Sequence, residues 1–345
     1  MNTLALEQSP LYRKALGCLL GGIIGDAIGT PTENMHYRDI ETRYGWLADF
    51  DSDGTDDTIL KHLLADALVR TGGYATLDDW AATWLDNWQE IFGSKLAKFY
   101  ISVLHTAHKL NRHSTPRMAA LGNMPSSSSA MCISPVGIVN ACNPRQAALQ
   151  TYNLASLIHI HDVGYCQDGA VAMAAAVAAA FNADATVESV LRAAVAYILP
   201  ASGAELLDRI HRALSLARQT GNFVAFRAAV YERSDDYFCR IACDSRETVP
   251  MTLALWLLAA GDLERAVTYG ANFGRDADTI ASMAGAIAGA YGDVDSVRPD
   301  WVAKIERYSS RDQRALALQL AATALARHDA EGDAHRRFRA TLTRA

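Results

Sequence analysis

Two short acidic clusters, Thr55-Asp56-Asp57-Thr58 and Asp276-Ala277-Asp278-Thr279, stand about 220 residues apart, each just ahead of an apolar stretch with helical spacing. Carboxylates packed this closely repel one another, and they stay ionised together cheaply only beside a cation. Hard divalent cations such as Mg²⁺ take oxygen ligands from carboxylates, hydroxyls and water. Each cluster supplies carboxylates and a hydroxyl within four residues. The economical reading is a fold that brings the two clusters together around metal, which makes the chain a metal-assisted enzyme.

Each cluster also has a plainer reading. An EF-hand started at Asp51 puts Asp56 where glycine is required and His62 where the bidentate glutamate is required, so the local calcium loop fails. Thr55 or Asp56 could cap the helix that begins near Thr58. The aspartates of the second cluster could answer to a helix dipole worth only about 0.3–1 kcal/mol. One cap accounts for one residue; it leaves the rest of a run of acids and hydroxyls, with a distant counterpart of the same type, unexplained. Arg275 could neutralise a neighbouring carboxylate or serve as a surface or substrate residue. The segment His159-Ile160-His161-Asp162 keeps an HD-type metal phosphohydrolase in play. No second histidine is placed to join that pair, because His105 and His108 lie in a plain amphipathic helix. Segment 122–131, GNMPSSSSAM, is small and polar and could present backbone N–H groups to phosphate. It lacks the GxxxxGK[ST] pattern.

The elements that must position these residues are helical. Apolar periodicity gives helices over 12–28, 58–71, 77–90, 94–107, 144–159, 167–181, 187–197, 202–218, 223–232, 249–260, 262–269 and 309–327, while alternating strand patterns are scarce. Breaks rich in Gly, Ser and Asp fall at 30–57, 122–134 and 234–246. Gly17, Gly21, Gly25 and Gly29 recur every fourth residue in and just past the first helix. A glycine inside a helix costs roughly 1 kcal/mol relative to alanine, so the ridge implies a backbone approaching closely along one face. Ala281, Gly285 and Gly289 form a second ridge. Packing the two ridges together brings Asp26 and Glu33 near Asp276 and Asp278. No linker, repeat or composition shift divides the chain, and it reads as one all-α domain over 1–345.

Composition narrows the classes. The 345 residues are 50% hydrophobic and 20% charged, with a formal net charge of −6. That is ample for a sizeable core and leaves no electrostatic footprint for nucleic acid. The six cysteines include no CxxC pair, and free thiols in a reducing cytosol are expected. Segment 1–10 has no basic region of the signal-peptide type, and the apolar run 15–24 is too short to span a bilayer. The chain therefore reads as cytoplasmic, with no membrane partner.

Taken in order, these motifs resemble the ADP-ribosylglycohydrolase family. The resemblance runs over about residues 12–325. It rests on Gly25-Asp26-Ala27-Ile28-Gly29 followed by Glu33, on Thr55-Asp56-Asp57-Thr58, on Ser134-Pro135-Val136-Gly137, and on GRDADTIASMAGAIAGAYG at 274–292. Arg298-Pro299-Asp300-Trp301 resembles the family's proline–tryptophan step. The resemblance implies a compact orthogonal all-α domain with a binuclear Mg²⁺ centre, two ions per chain with Mn²⁺ as an alternative. Thr55, Asp56 and Asp57 would bind metal from one side and Asp276, Asp278 and Thr279 from the other. Glu33, Asp56 and Asp57 are the implied general acid or base. Ser127, Ser128, Ser129 and Met131 would face the pyrophosphate, and Tyr291 the adenosine side or the core. One departure stands out: aligned on Met131, Ser126 and Ser128 occupy positions where the family usually has glycine, and Cys132 one where it usually has arginine.

The implied reaction is hydrolysis of the glycosidic bond at the ribose C1″ carbon through an oxocarbenium-like transition state. The substrate would be ADP-ribosylated protein, arginine-linked in the first instance, handled by a monomer. Two alternatives are a hydrolase of a small ADP-ribosyl or nucleoside compound and a catalytically silent relative that binds ADP-ribose or metal. Segment 38–50, with Tyr44 and Trp46, would shape a protein-substrate surface or simply pack.

Overall fold

Proline and small polar residues start most of the long helices. Pro10 occupies the first turn of the Pro10–Gly29 helix and the Ser9 side chain accepts from the Tyr12 N–H. Thr76, Thr186, Asn222 and Asp262 cap later helices in the same way. The computed structural model describes residues 3–93 and 95–342, and among them every regular element is an α- or 3₁₀-helix. The fold is therefore all-α, as the periodicity implies.

Three boundaries differ from the sequence reading for identifiable reasons. The 94–107 helix begins at Ser94, which lies outside the described residues. The rest divides into a 3₁₀ turn at Leu96–Lys98 and a helix at Ile101–Asn111. Phe99 and Tyr100 between them are extended, and the Tyr100 N–H goes to the Asp56 carboxylate instead of an intrahelical carbonyl. The break at 30–57 contains a short helix, Tyr37–Tyr44. The last helix runs Gln313–Ala340, started by Asp312 rather than by Ser309, and a separate helix, Pro299–Tyr308, precedes it.

The two small-residue ridges meet. A β-carbon placed on Gly21 would fall 2.1 Å from the Gly285 carbonyl oxygen, and one placed on Gly285 would fall 2.1 Å from that of Gly21. Any side chain there would force the backbones apart. The ridge ends on the site itself, since a β-carbon on Gly29 would fall 2.3 Å from the Asp278 α-carbon. The Ala277–Gly292 helix is thus held between Pro10–Gly29, Leu263–Phe273, Ser245–Leu258 and Tyr165–Ala180. Stretch Pro10–Thr32 is long and apolar enough to cross a membrane, with a mean hydropathy of 1.2, but 89% of that window is buried inside the protein. It is the central core helix. A second apolar cluster around Phe223, Phe226 and Phe273 packs beside the main core.

Candidate metal centre and its cleft

The two acidic clusters stand together on the wall of one cleft with a volume of about 400 Å³. Thr55 Oγ1 lies 3.3 Å from Asp278 Oδ2, and Thr279 Oγ1 lies 3.2 Å from Asp57 Oδ2, so each cluster's hydroxyl reaches the other's carboxylate. Capping explains little of this. Thr55 does cap the Asp56–Arg70 helix by accepting from the Asp57 N–H. Asp276 sits at the N-cap of Ala277–Gly292 with no capping hydrogen bond. Its Oδ2 accepts instead from the Ser127 hydroxyl at 3.1 Å.

Asp26 holds the first cluster in place. Its fully buried carboxylate accepts from the Thr55 and Thr58 N–H groups at 2.9 and 3.1 Å and from both threonine hydroxyls. Gly54, at φ +87°, leaves room for it: a β-carbon there would fall 2.3 Å from Asp26 Oδ2. The segment carrying Glu33 is tied to the second cluster. Asn34 N–H donates to the Arg275 carbonyl at 2.6 Å, and Arg275 N–H donates to that of Met35 at 3.1 Å. Glu33 itself is exposed at the cleft.

Concentrating these acids out of water is costly. Burial first, and the Asp26 charge next, push the Asp56 carboxyl up to about 8. Burial and then Glu33 push Asp276 up to about 7. Asp57 and Asp278 are held well above the ordinary carboxylate range by burial, then by Asp26 and Asp276 respectively. Asp57 Oδ1 and Asp278 Oδ1 are buried with no hydrogen-bond partner. Carboxylate oxygens of Glu33, Asp276 and Asp278 lie within 4.8 Å of one another, close enough to share a cation. Orphaned carboxylate oxygens in an all-oxygen donor set fit a hard divalent cation, which would favour their ionised form and offset the repulsion between them.

Several residues marked in the sequence have other places. Tyr291 is not in the cleft: it lies at the far end of the Ala277–Gly292 helix, edge-on to Trp256 with 6.0 Å between ring centroids. Of the serine loop, Ser127, Ser128 and Met131 line the cleft. Ser129 turns away, its hydroxyl 2.8 Å from His159 Nδ1. His159 is fully buried, and Ser126 reaches its other nitrogen at 2.9 Å. His161 and Asp162 are largely exposed, at 76% and 78%, and belong to none of these clusters, which removes the geometry an HD-type site needs. Arg275 neutralises buried Glu247 at 2.7 Å rather than its neighbouring aspartates. Trp46 packs against Phe223 and Tyr269, and the Tyr44 hydroxyl donates to the Pro31 carbonyl.

The sequence reading missed Lys98, Phe99, Tyr100 and Cys243, all of which line the cleft. None carries a motif signal; only tertiary packing brings them there. Lys61 was also missed. It is buried four residues after Asp57, donating to the Ser282 hydroxyl at 3.0 Å in space left by Gly22.

Comparison with known proteins agrees with this architecture. A family profile described as ADP-ribosylglycohydrolase matches residues 7–333. The chain is 27% identical over 333 residues to the uncharacterized protein YegU of Escherichia coli, covering 89% of this chain and 96% of YegU. It is 23% identical over 346 residues to human ADP-ribosylhydrolase ARH3, covering 88% of this chain and 92% of that protein. A solved structure titled ADP-ribosylglycohydrolase-related protein complex superposes with a TM-score of 0.66 at 19% identity, covering 91% of this chain and 99% of that one.

Proposed function

The chain belongs to the ADP-ribosylglycohydrolase family, whose activity is hydrolysis of ADP-ribosyl compounds, and from that premise we propose that it removes ADP-ribose from arginine side chains of modified protein in a Mg²⁺-dependent reaction. The observation that carries the metal reading is the pair of orphaned buried oxygens, Asp57 Oδ1 and Asp278 Oδ1, contributed by opposite ends of the sequence to one cleft. Thr55, Asp56, Asp57, Asp276, Asp278 and Thr279 would hold two ions. When bound, such ions orient ribose hydroxyls, lower the pKa of a bound water and stabilise developing charge.

The chain's own residues supply the rest. Glu33 is the acid of the set that stands exposed, placed to exchange a proton with the attacking water or the leaving guanidine. Asp56 is held by the Tyr100 N–H at 3.3 Å, which leaves its second oxygen to orient water. Asp26 holds Thr55 and Thr58 by hydrogen bonds, which preorganises the cluster. The six cysteines are free, which accords with a cytosolic site of action.

The test is incubation with arginine- and serine-linked ADP-ribosylated proteins and with a free ADP-ribosyl compound, in Mg²⁺ or excess chelator, with products read by mass. Free ADP-ribose should leave the arginine-linked protein only in Mg²⁺, and Asp57→Ala and Asp278→Ala should abolish its release. Release in chelator, or by both variants, sinks the metal assignment. Release from serine-linked protein or from the small compound alone sinks the arginine linkage.

A further inference from the structure

Lys98 is the one cation lining the cleft among the described residues, and five carboxylates, Glu33, Asp56, Asp57, Asp276 and Asp278, line the same cleft. An anionic substrate entering such a space needs positive charge beyond what offsets the acids. Most hydroxyls of the serine loop are already engaged; Ser128, which lines the cleft and accepts from Ser126, is the one that keeps its own O–H. The Ser127 hydroxyl donates to Asp276, and the Ser126 hydroxyl is shared among Ser102, Ser128 and His159. Ser129 is turned to His159, and the buried Cys132 thiol donates to the Ser128 carbonyl.

Lys98 is differently placed. Its side chain is exposed, and its ammonium has one protein acceptor, the neutral carbonyl of Gly54 at 2.6 Å. An ammonium carries three donors, so two remain for a ligand. Nor does the segment depend on that bond for its position. Lys95 pairs with Asp53 at 3.0 Å, and the Tyr100 N–H donates to Asp56 at 3.3 Å, pinning the stretch on either side of Lys98.

We infer that Lys98 is a specificity residue that receives the diphosphate of the ADP-ribosyl group. The inference rests on the proposed substrate class and assigns the recognition of its anionic part to this side chain. A lysine here makes charge-assisted hydrogen bonds to phosphate oxygens in a partly enclosed cleft. It acts on affinity for the phosphate-bearing portion and leaves the metal centre alone.

The experiment is calorimetric titration of ADP-ribose, of adenosine and of Mg²⁺ into the wild type, Lys98→Met, Lys98→Arg and Lys95→Met. Lys98→Met should weaken ADP-ribose about ten-fold, the scale of one lost charged hydrogen bond. Mg²⁺ and adenosine affinities should stay within about two-fold of wild type, and Lys98→Arg should recover most of the loss, since guanidinium also pairs with phosphate. Lys95→Met, which removes one of the two pins but keeps the cleft's cation, should weaken ADP-ribose clearly less than Lys98→Met does; an equal loss in both overturns the inference. Equal ADP-ribose affinity in wild type and Lys98→Met overturns the inference alone. So does a loss of Mg²⁺ affinity in step with ADP-ribose, which would make Lys98 only a staple on Gly54. Absence of ADP-ribose binding by the wild type overturns the proposed substrate class, and the inference with it.

Discussion

Asp57 and Asp278 carry the proposed cation site. Each is buried, each lacks a partner for one oxygen, and each is held above its ordinary pKa by burial and by neighbouring acids. Without a cation these residues destabilise the fold they sit in. Asp57→Asn and Asp278→Asn should therefore melt at or above the wild-type temperature in chelator. Wild type should gain thermal stability on adding Mg²⁺, because a ligand bound only by the native state stabilises it, and both variants should lose most of that gain. Hydrolysis by each should fall about 100-fold or more, the scale of losing one preorganised electrostatic contact. Scanning calorimetry with and without Mg²⁺ measures the first effect. A variant that melts lower in chelator, yet keeps the Mg²⁺ increment, would refute the role given to that oxygen.

Between elements, the decisive contact is the crossing of the two glycine ridges. It fixes the Ala277–Gly292 helix along its length and sets Asp278 against Gly29. Gly285→Ala should cost roughly 3 kcal/mol, the upper end for overpacking, because the added methyl meets the Gly21 carbonyl, part of a helix that cannot step aside. Gly22→Ala, next to Gly21 on the Pro10–Gly29 helix, meets instead the end of the Lys61 side chain at 2.6 Å. That chain can move, and alanine recovers about 1 kcal/mol of helix propensity, so this variant should stay near wild type. Denaturant unfolding of the pair separates the two cases. Equal stability losses would mean the ridge is not where the backbones are locked. The extended step at Phe99 and Tyr100 belongs to the same scale, since it breaks a helical pattern to bring Lys98 and Tyr100 to the cleft.

Across the whole molecule, burial also decides the response to acid. His62 and His159 are kept neutral inside the fold, with pKa values pushed down to about 3 by burial, which for His62 is helped by Arg311. Unfolded histidine titrates near 6.5, so below that pH the unfolded chain binds more protons than the folded one. Their contribution is full above about 6.5 and is lost as pH falls toward 3, at on the order of 1 kcal/mol per pH unit for each histidine. His159→Gln keeps groups able to bond Ser126 and Ser129 while removing one titrating site. The stability difference between this variant and wild type, measured from pH 7 down to pH 4, should move in favour of the variant as pH falls. A difference that stays flat would show that His159 is protonated in the native state.

The sequence by itself determined the element type, the two acidic clusters, the glycine ridges that join them and the family. These are local or periodic signals: four-residue spacing, adjacent carboxylates, the cost of glycine in a helix. Tertiary structure decided which side chains face the cleft. Ser129 and Ser127 are two residues apart in one short polar run, yet one turns to buried His159 and the other to Asp276. Tyr291 shares a helix with Asp278, but about 20 Å of helix rise separates their positions and leaves it half-buried against the core. Arg275 stands beside Asp276 and spends its charge on Glu247 instead. Lys98 has no motif at all and reaches the site only because its segment is pinned across the Asp53–Asp56 loop. Side-chain direction and pairing depend on what the rest of the chain packs against each position, and that information is not held at any one place in the sequence.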